Sequence, residues 1–535
     1  MSELSEYFNI LYLLVLYTIQ GLPMGISYSV PFILQGKITY SEQSMFGMVV
    51  LPFSIKLLWA PLVDSVYIEK FGRRKTWIVP TQITCGILMI MGSHFFLPKW
   101  LCEGIYSTLK PNVRLLTLYF SILYFLMATQ DIAVDAWAIN LLSHKNKGLA
   151  STCNIIGQSF GYITSYLCFL FLNDIGICNK YVRPLLGLDI NTNKPICEMS
   201  QFIYFWGVVI LIVTLITTMI KKEENISTSD ALYKKEDDIH DNGDEEIELS
   251  ILQAYSLLYK IIKLKPVISL IMLLSIINLP FAITESAINF KLMEYGMKKS
   301  DIMLIGPILI PFSILTPFFM TQLIRKSKSP LKFMKYLLPL RVTLSLIVCL
   351  FLICSRIIYE PWNIHNNKET HNIDTPYLFY CIYLIISIIS SIISDTQSLI
   401  FMTLFNVVSD VRFAGTYLTL FNTISNLGYK WPSSLSIWLL DYTNIQYCVN
   451  DQFNYNNVWG YYLLLIGNKC IIDSFFIQFL FSFAIGIFSV TFIFPFLIKK
   501  IDSYDLSEWI VKYLFNNNSN IELKTNQYRS KNKND

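Results

Sequence analysis

Charge is what this chain has least of: 15% of its 535 residues are charged and 53% are hydrophobic. That balance is too apolar for a soluble protein of ordinary composition. The net charge is only +4, and no basic stretch is interleaved with aromatics, which argues against a nucleic-acid partner. Metal-site spacing is missing as well. The eleven cysteines form no CxxC and no Cys/His pattern, so neither a metal nor another cofactor is expected. The N-terminus lacks a basic n-region and a small-residue cleavage site, so its apolar stretch reads as a first membrane span. Enzymatic chemistry also lacks its usual parts. Of five histidines only His94 stands in an apolar run, with no companion nucleophile or base.

Long apolar runs are there in quantity. Stretches long enough to cross about 30 Å of hydrocarbon fall near 8–35, 45–63, 76–97, 114–142, 149–173 and 200–220. A second six fall near 266–290, 300–324, 332–355, 375–408, 413–440 and 472–498. Between the sets lies KKEENISTSDALYKKEDDIHDNGDEEIELS at 221–250, almost without apolar content, which reads as a solvated linker. The expected organisation is a six-helix half over 1–220, a charged linker over 221–264, a second half over 265–498 and a polar tail over 499–535.

Basic residues give the orientation. They crowd the loops after even-numbered spans: Lys70, Arg73, Arg74 and Lys75; Lys145 and Lys147; Lys221 to Lys265; Arg325, Lys326 and Lys328; Lys499 and Lys500. The alternate loops carry few. Both termini are therefore expected in the cytoplasm. Cys178 and Cys197, and Cys448 and Cys470, fall in or beside the long loops on the other side. In an oxidising lumen each pair could form a disulfide.

The halves share a faint repeat. Leu22-Pro23 recurs as Leu279-Pro280, Pro52-Phe53-Ser54-Ile55 as Pro311-Phe312-Ser313-Ile314, and Thr129-Gln130 as Thr396-Gln397. Pro80 recurs as Pro339, and the pair Asn154/Gln158 as Asn422/Asn426. The offset stays between 257 and 268 throughout. Two six-helix halves in parallel relation define an all-α membrane protein with the twelve-helix major-facilitator fold, whose substrates bind near the midplane between halves.

Ionisable residues inside spans are the natural site candidates. Lys56 in span two has Leu315 as its counterpart, and Arg341 in span nine has Gln82. Each half thus adds a cation its twin lacks, an arrangement suited to an anion, with Arg341 able to grip a carboxylate or phosphate at two points. The amide pairs Asn154/Gln158 and Asn422/Asn426 suit hydrogen bonding to uncharged groups and serve equally as interhelical glue. Lys430 lies one turn beyond Asn426. Asp131 and Asp135 share a face of span four and, with Glu285 in span seven, read as gating or coupling groups. Asp64, Arg73 and Arg74 flank the short loop after span two and resemble the Asp…Gly-Arg-Arg signature of major-facilitator carriers, with an insertion. Gly157-x-x-x-Gly161 reads as a packing motif.

Several runs carry a closer resemblance. GLPMGISYSVPFILQ, PFSIKLLWAPLVDSVYIEKFGRRKTWIVPTQ, ATQDIAVDAWAINLLS, ASTCNIIGQSFGY and GTYLTLFNTISNLGYKWPSS resemble the eukaryotic acetyl-coenzyme A transporters, and bacterial muropeptide permeases share a looser version. The resemblance implies a multi-pass carrier of the endoplasmic reticulum membrane that moves acetyl-CoA from cytosol to lumen for lumenal acetylation, with exchange against coenzyme A compatible with it. Membrane lipid is the implied surrounding, and a homodimer is compatible. The family has a neutral asparagine before Trp-Pro where this chain has Lys430, so contacts there are expected to differ. The alternative is a permease of the same fold for another organic anion, muropeptide-like or nucleotide-linked.

Overall fold

A computed structural model describes residues 3–68, 71–106, 109–142, 149–189, 194–220, 251–295, 297–326, 330–366, 377–409, 414–443, 445–446, 467–468 and 471–511. Its first-half rods are Glu3–Leu34, a broken second rod beginning at Tyr40–Gly47, Lys75–Trp100, Val113–Leu141, Leu149–Asn173 and Met199–Ile220. Its second-half rods are Lys265–Glu294, Lys299–Lys326, Met334–Asn366, Tyr377–Val408, Ala414–Leu439 and Ser474–Asp502. We call them spans one to twelve. Eight are each long and apolar enough to cross a membrane, and a ninth qualifies if the 73° bend after Asn173 is counted within one span. Prolines stand inside each of the other three: Pro52 and Pro61 in span two, Pro307, Pro311 and Pro317 in span eight, and Pro432 in span eleven.

Those interruptions position the polar residues. Span two is built of Tyr40–Gly47, Met48–Val50, Leu51–Ser54, Lys56–Leu58 and Ala60–Ser65, with Pro52 and Pro61 opening two of the helical pieces. A proline has no N–H for the ladder and clashes with the turn before it. The backbone therefore tightens locally, and Lys56 sits on a 3₁₀ turn between the two prolines. Span seven breaks likewise around Pro280 into Lys265–Ile276, Leu279–Phe281, Ala282–Ser286 and Ile288–Glu294. That break exposes Asn278 and Glu285 to neighbouring spans.

Close approach within each half depends on glycine. A Cβ on Gly161 of span five would lie 2.0 Å from the Thr18 carbonyl oxygen of span one. A Cβ on Gly428 of span eleven would lie 2.1 Å from the Leu274 carbonyl oxygen of span seven. The same pair of spans, first against fifth, is thus sealed in both halves. Around these seams lie apolar cores, with Ile26, Phe120 and Ile203 in the first half and Leu270, Phe405 and Phe421 in the second.

The halves meet mainly at the end away from the termini. Asp441 accepts hydrogen bonds from the backbone N–H groups of Tyr40 (3.2 Å) and Ser41 (2.5 Å) at the start of span two. Ser44 Oγ donates to the Ser434 carbonyl, Gln35 to the Phe290 carbonyl, and the Tyr40 hydroxyl to Glu294. Beside them Lys291 bridges Glu294 at 2.8 Å and Asp473 at 2.9 Å.

Two stretches differ from expectation. Within the expected linker, Ile251–Ile262 is an amphipathic helix that buries Leu257 and Ile261 and leaves Leu252 and Tyr259 exposed. Its Tyr255 hydroxyl donates to the Leu58 carbonyl of span two. The expected polar tail also begins inside the fold: Trp509 is 2% exposed, and its carbonyl accepts the Tyr417 hydroxyl. A three-stranded sheet of two-residue strands, at 445–446, 467–468 and 471–472, lies before span twelve. The stretches 221–250 and 512–535 lie outside the described residues.

Candidate functional site

In the first half, six polar side chains gather around one lysine. Lys56 forms an ion pair with Asp131, whose side chain is 1% exposed, and its ammonium lies 3.8 Å from Asp135. Span four supplies both carboxylates because residues four apart stack on one helix face. From span five, Asn154 donates to Asp135 (2.8 Å) and Asp131 (3.4 Å), and Gln158 donates to Asp131 (2.9 Å) and Gln20 (3.0 Å). Tyr17 of span one donates its hydroxyl to Asp135 at 2.8 Å. Four spans are thereby tied to one charge cluster.

The second half has its own cluster, built around an arginine. Arg341 Nη2 lies 2.7 and 2.9 Å from the two carboxylate oxygens of Glu285, and its Nε is 2.9 Å from Oε1. Its Nη1 donates to Asn278 (3.0 Å) and to Gln397 (2.6 Å), while Gln397 donates to Asn278 at 3.0 Å. The guanidinium also sits 4.3 Å over the Phe281 ring. The fork geometry that would grip a substrate carboxylate here grips the protein's own. A small pocket lined by Asn278, Ala282, Glu285, Tyr429 and Ser433 opens beside it.

The two cations expected to face an anion are thus both held by carboxylates in this state. The physical reason is the cost of an unpaired charge within a span. Lys56 with Asp131 and Asp135 carries a formal charge of −1, and Arg341 with Glu285 carries none. Span eleven is different. Its Asn422, Asn426 and Lys430 have no side-chain hydrogen bond or ion pair among the described residues, and the Lys430 ammonium lies 5.7 Å from the centre of the Tyr429 ring.

The remaining candidates scatter. The backbone of Asp64 ends span two, and its side chain lies outside the described residues. Arg73 lies over the Tyr67 ring at 5.6 Å, and Arg74 is buried in the same loop. Cys178 and Cys197 are free thiols in the structure, so the pairing considered for them is not formed. Cys178 Sγ turns to the Phe171 and Leu172 carbonyls and Cys197 Sγ to that of Glu198. Burial first, then the Glu103 and Glu198 carboxylates, pushes the Cys197 thiol up to about 11. Cys448 and Cys470 lie outside the described residues.

Four network members were not among the sequence site candidates: Tyr17, Gln20, Asn278 and Gln397, the last seen only as part of the repeat. A single amide or hydroxyl in an apolar run is ordinary interhelical glue, so none stood out. A signal was present, since Gln20 and Asn278 fall one position apart in the repeat, two residues before Leu22-Pro23 and one before Leu279-Pro280. The repeat's Gln82 is fully buried and accepts from Thr214 of span six at 3.0 Å, a neutral tie where the second half places Arg341.

Two broken-helix halves with central polar clusters, joined at one end, define a membrane transporter of the major-facilitator fold. Solved structures agree on the fold. A bacterial homolog of the human lysosomal transporter Spinster, inward-facing and unoccupied, aligns at TM-score 0.51 and 12% identity, covering 95% of this chain and 98% of that one. The POT-family transporter PepTSo aligns at TM-score 0.50 and 10% identity, covering 93% of this chain and 99% of that one. The family model described as acetyl-coenzyme A transporter 1 matches residues 9–511, and the chain belongs to that family. An uncharacterized membrane protein of Saccharomyces cerevisiae is 28% identical over 82% of this chain and 84% of its own length. The anhydromuropeptide permease of Escherichia coli K12 is 27% identical over 30% of this chain and 31% of its own. The chain is a transporter and not an enzyme.

Proposed function

We propose that this protein carries acetyl-CoA from the cytosol into the lumen of the endoplasmic reticulum by alternating access, in exchange for coenzyme A. The observation that carries this reading is the family match, which runs through both halves from residue 9 to residue 511. The site chemistry supports it. Acetyl-CoA joins phosphates to an adenine and two amides, and span eleven offers an ammonium and two free amides along one face. The basic loops at 73–75 and 499–500 support cytoplasmic termini. In this reading the Lys56 and Arg341 clusters are the gating and coupling elements, and the substrate approaches between these two charge networks. Asp64, Arg73 and Arg74 would hold the cytoplasmic end when the site turns to the lumen.

The partial likeness to the anhydromuropeptide permease favours one rival, the same fold carrying a muropeptide-like anion. Competition decides between them. In proteoliposomes, unlabelled acetyl-CoA and coenzyme A should suppress uptake of labelled acetyl-CoA, and an anhydromuropeptide should not. Suppression by the muropeptide alone, or its own faster uptake, would overturn the acetyl-CoA reading.

A further inference from the structure

We infer that Lys430 is the residue that takes the negative charge of the transported molecule, a phosphate group of an organic phosphate, while Lys56 and Arg341 stay with the protein's own carboxylates. The inference rests on the transport reading above and assigns the anion contact within it. Charge is its first support. Lys56 is matched by Asp131 and Asp135, and Arg341 by both oxygens of Glu285. Lys430 is matched by no carboxylate and no acceptor among the described residues. An ammonium inside a span without a protein partner marks a ligand path more often than a packing site.

Direction is its second support. Gly428 packs onto Leu274 and Ser275 of span seven, so that face of span eleven looks into its own half. Lys430 is two residues on, about 200° around the helix, and so looks the other way. Ser434, one turn beyond Lys430, confirms where that is: its carbonyl accepts Ser44 of span two, and its hydroxyl lies 3.7 Å from the position of a Cβ on Gly47. Asn422 and Asn426 continue the same face toward the terminal end. The Lys56–Leu58 turn of span two also packs against span eleven. Lys430 therefore stands at the seam between halves, on the face of span eleven turned to span two.

Chemistry is the third support. An ammonium is a compact point charge with three donors, suited to a phosphate that shifts as the carrier rocks, whereas a guanidinium fork fixes one orientation. A substrate bound at Lys430 is held without breaking either buried ion pair, so entry does not require stripping Asp131 or Glu285 of its partner.

The test uses full-length protein in vesicles of phosphatidylcholine alone, whose headgroups carry no net negative charge. Lys430→Met should raise the KM for acetyl-CoA about tenfold or more, the loss of one charge-assisted contact, and leave kcat within about twofold. Lys430→Arg should recover part of the affinity, since it restores the charge but not the compact ammonium. An unchanged KM with a lower kcat, or no recovery by arginine, overturns the inference. Should Lys430→Met fail to fold, Lys430→Gln reads the same charge loss. Calorimetric titration of purified protein with pyrophosphate separates the two claims. If wild-type protein takes up no acetyl-CoA yet binds pyrophosphate about tenfold more tightly than Lys430→Met, the anion site stands and the substrate reading falls. If uptake is normal and neither measurement moves with Lys430, the anion site falls alone.

Discussion

Asp131 does three things at once: it balances Lys56, accepts Gln158, and fixes Asn154 between itself and Asp135. Removing this carboxylate leaves Lys56 only the more distant Asp135, 3.8 Å away, and takes a charged acceptor from Gln158 and Asn154, and breaking a buried pair is destabilising. Asp131→Asn should therefore lower the melting temperature in detergent sharply, and Lys56→Met combined with Asp131→Asn should restore much of it. Equal melting of the single and double variants would show that the pair is not coupled. Cys197 gives a residue-scale pH prediction. Its thiol is pushed up to about 11 by burial and neighbouring carboxylates, and only the thiolate reacts. Maleimide labelling at that cysteine should be slow at pH 7 and rise steeply until the pH passes that value; fast labelling at pH 7 contradicts the buried setting. At this scale the sequence was half legible. Lys56 and Arg341 were marked by being charged where their repeat partners are neutral. Their carboxylate partners were visible as residues but not as partners, because helix spacing shows which side chains share a face and not which span lies opposite.

Among the elements, spans one and five are held closest. Gly161→Leu should separate them, since even a Cβ would overlap the Thr18 carbonyl oxygen at 2.0 Å, and the folded, monodisperse fraction on size exclusion should collapse. Gly306→Ala is the matched control, because its Cβ would meet Tyr166 only at 3.9 Å, and it should elute like wild type. Similar profiles for the two variants would refute the tight seam. Hydropathy marked most spans well, since a backbone in hydrocarbon must satisfy its own hydrogen bonds and helices are the way to do so. It could not mark the helix Ile251–Ile262, whose apolar face is only a few residues and is stabilised by landing on span two through Tyr255 and Leu58. Trp509 was hidden for the same reason: an aromatic in a polar tail gains its meaning from Tyr417, ninety-two positions earlier.

For the molecule as a whole, the repeat made two parallel halves legible, while which end closes depends on contacts between residues hundreds of positions apart. Asp441 on the start of span two and Tyr40 on Glu294 are such contacts. Asp441→Asn with Tyr40→Phe should weaken that end and favour the opposite-facing state. A cysteine placed at Ser44, in a protein freed of native cysteines, should then label faster with an impermeant maleimide applied from the non-terminal side; an unchanged rate would mean these contacts do not hold the closed end.

The central claim is vectorial movement of acetyl-CoA through this chain, and counterflow tests it most directly. Purified protein is reconstituted with or without coenzyme A trapped inside, and labelled acetyl-CoA is added outside. The account predicts saturable uptake that exceeds protein-free vesicles and is stimulated several-fold by the trapped coenzyme A. Uptake no greater than in protein-free vesicles, while the same preparation accumulates another organic anion, would contradict it.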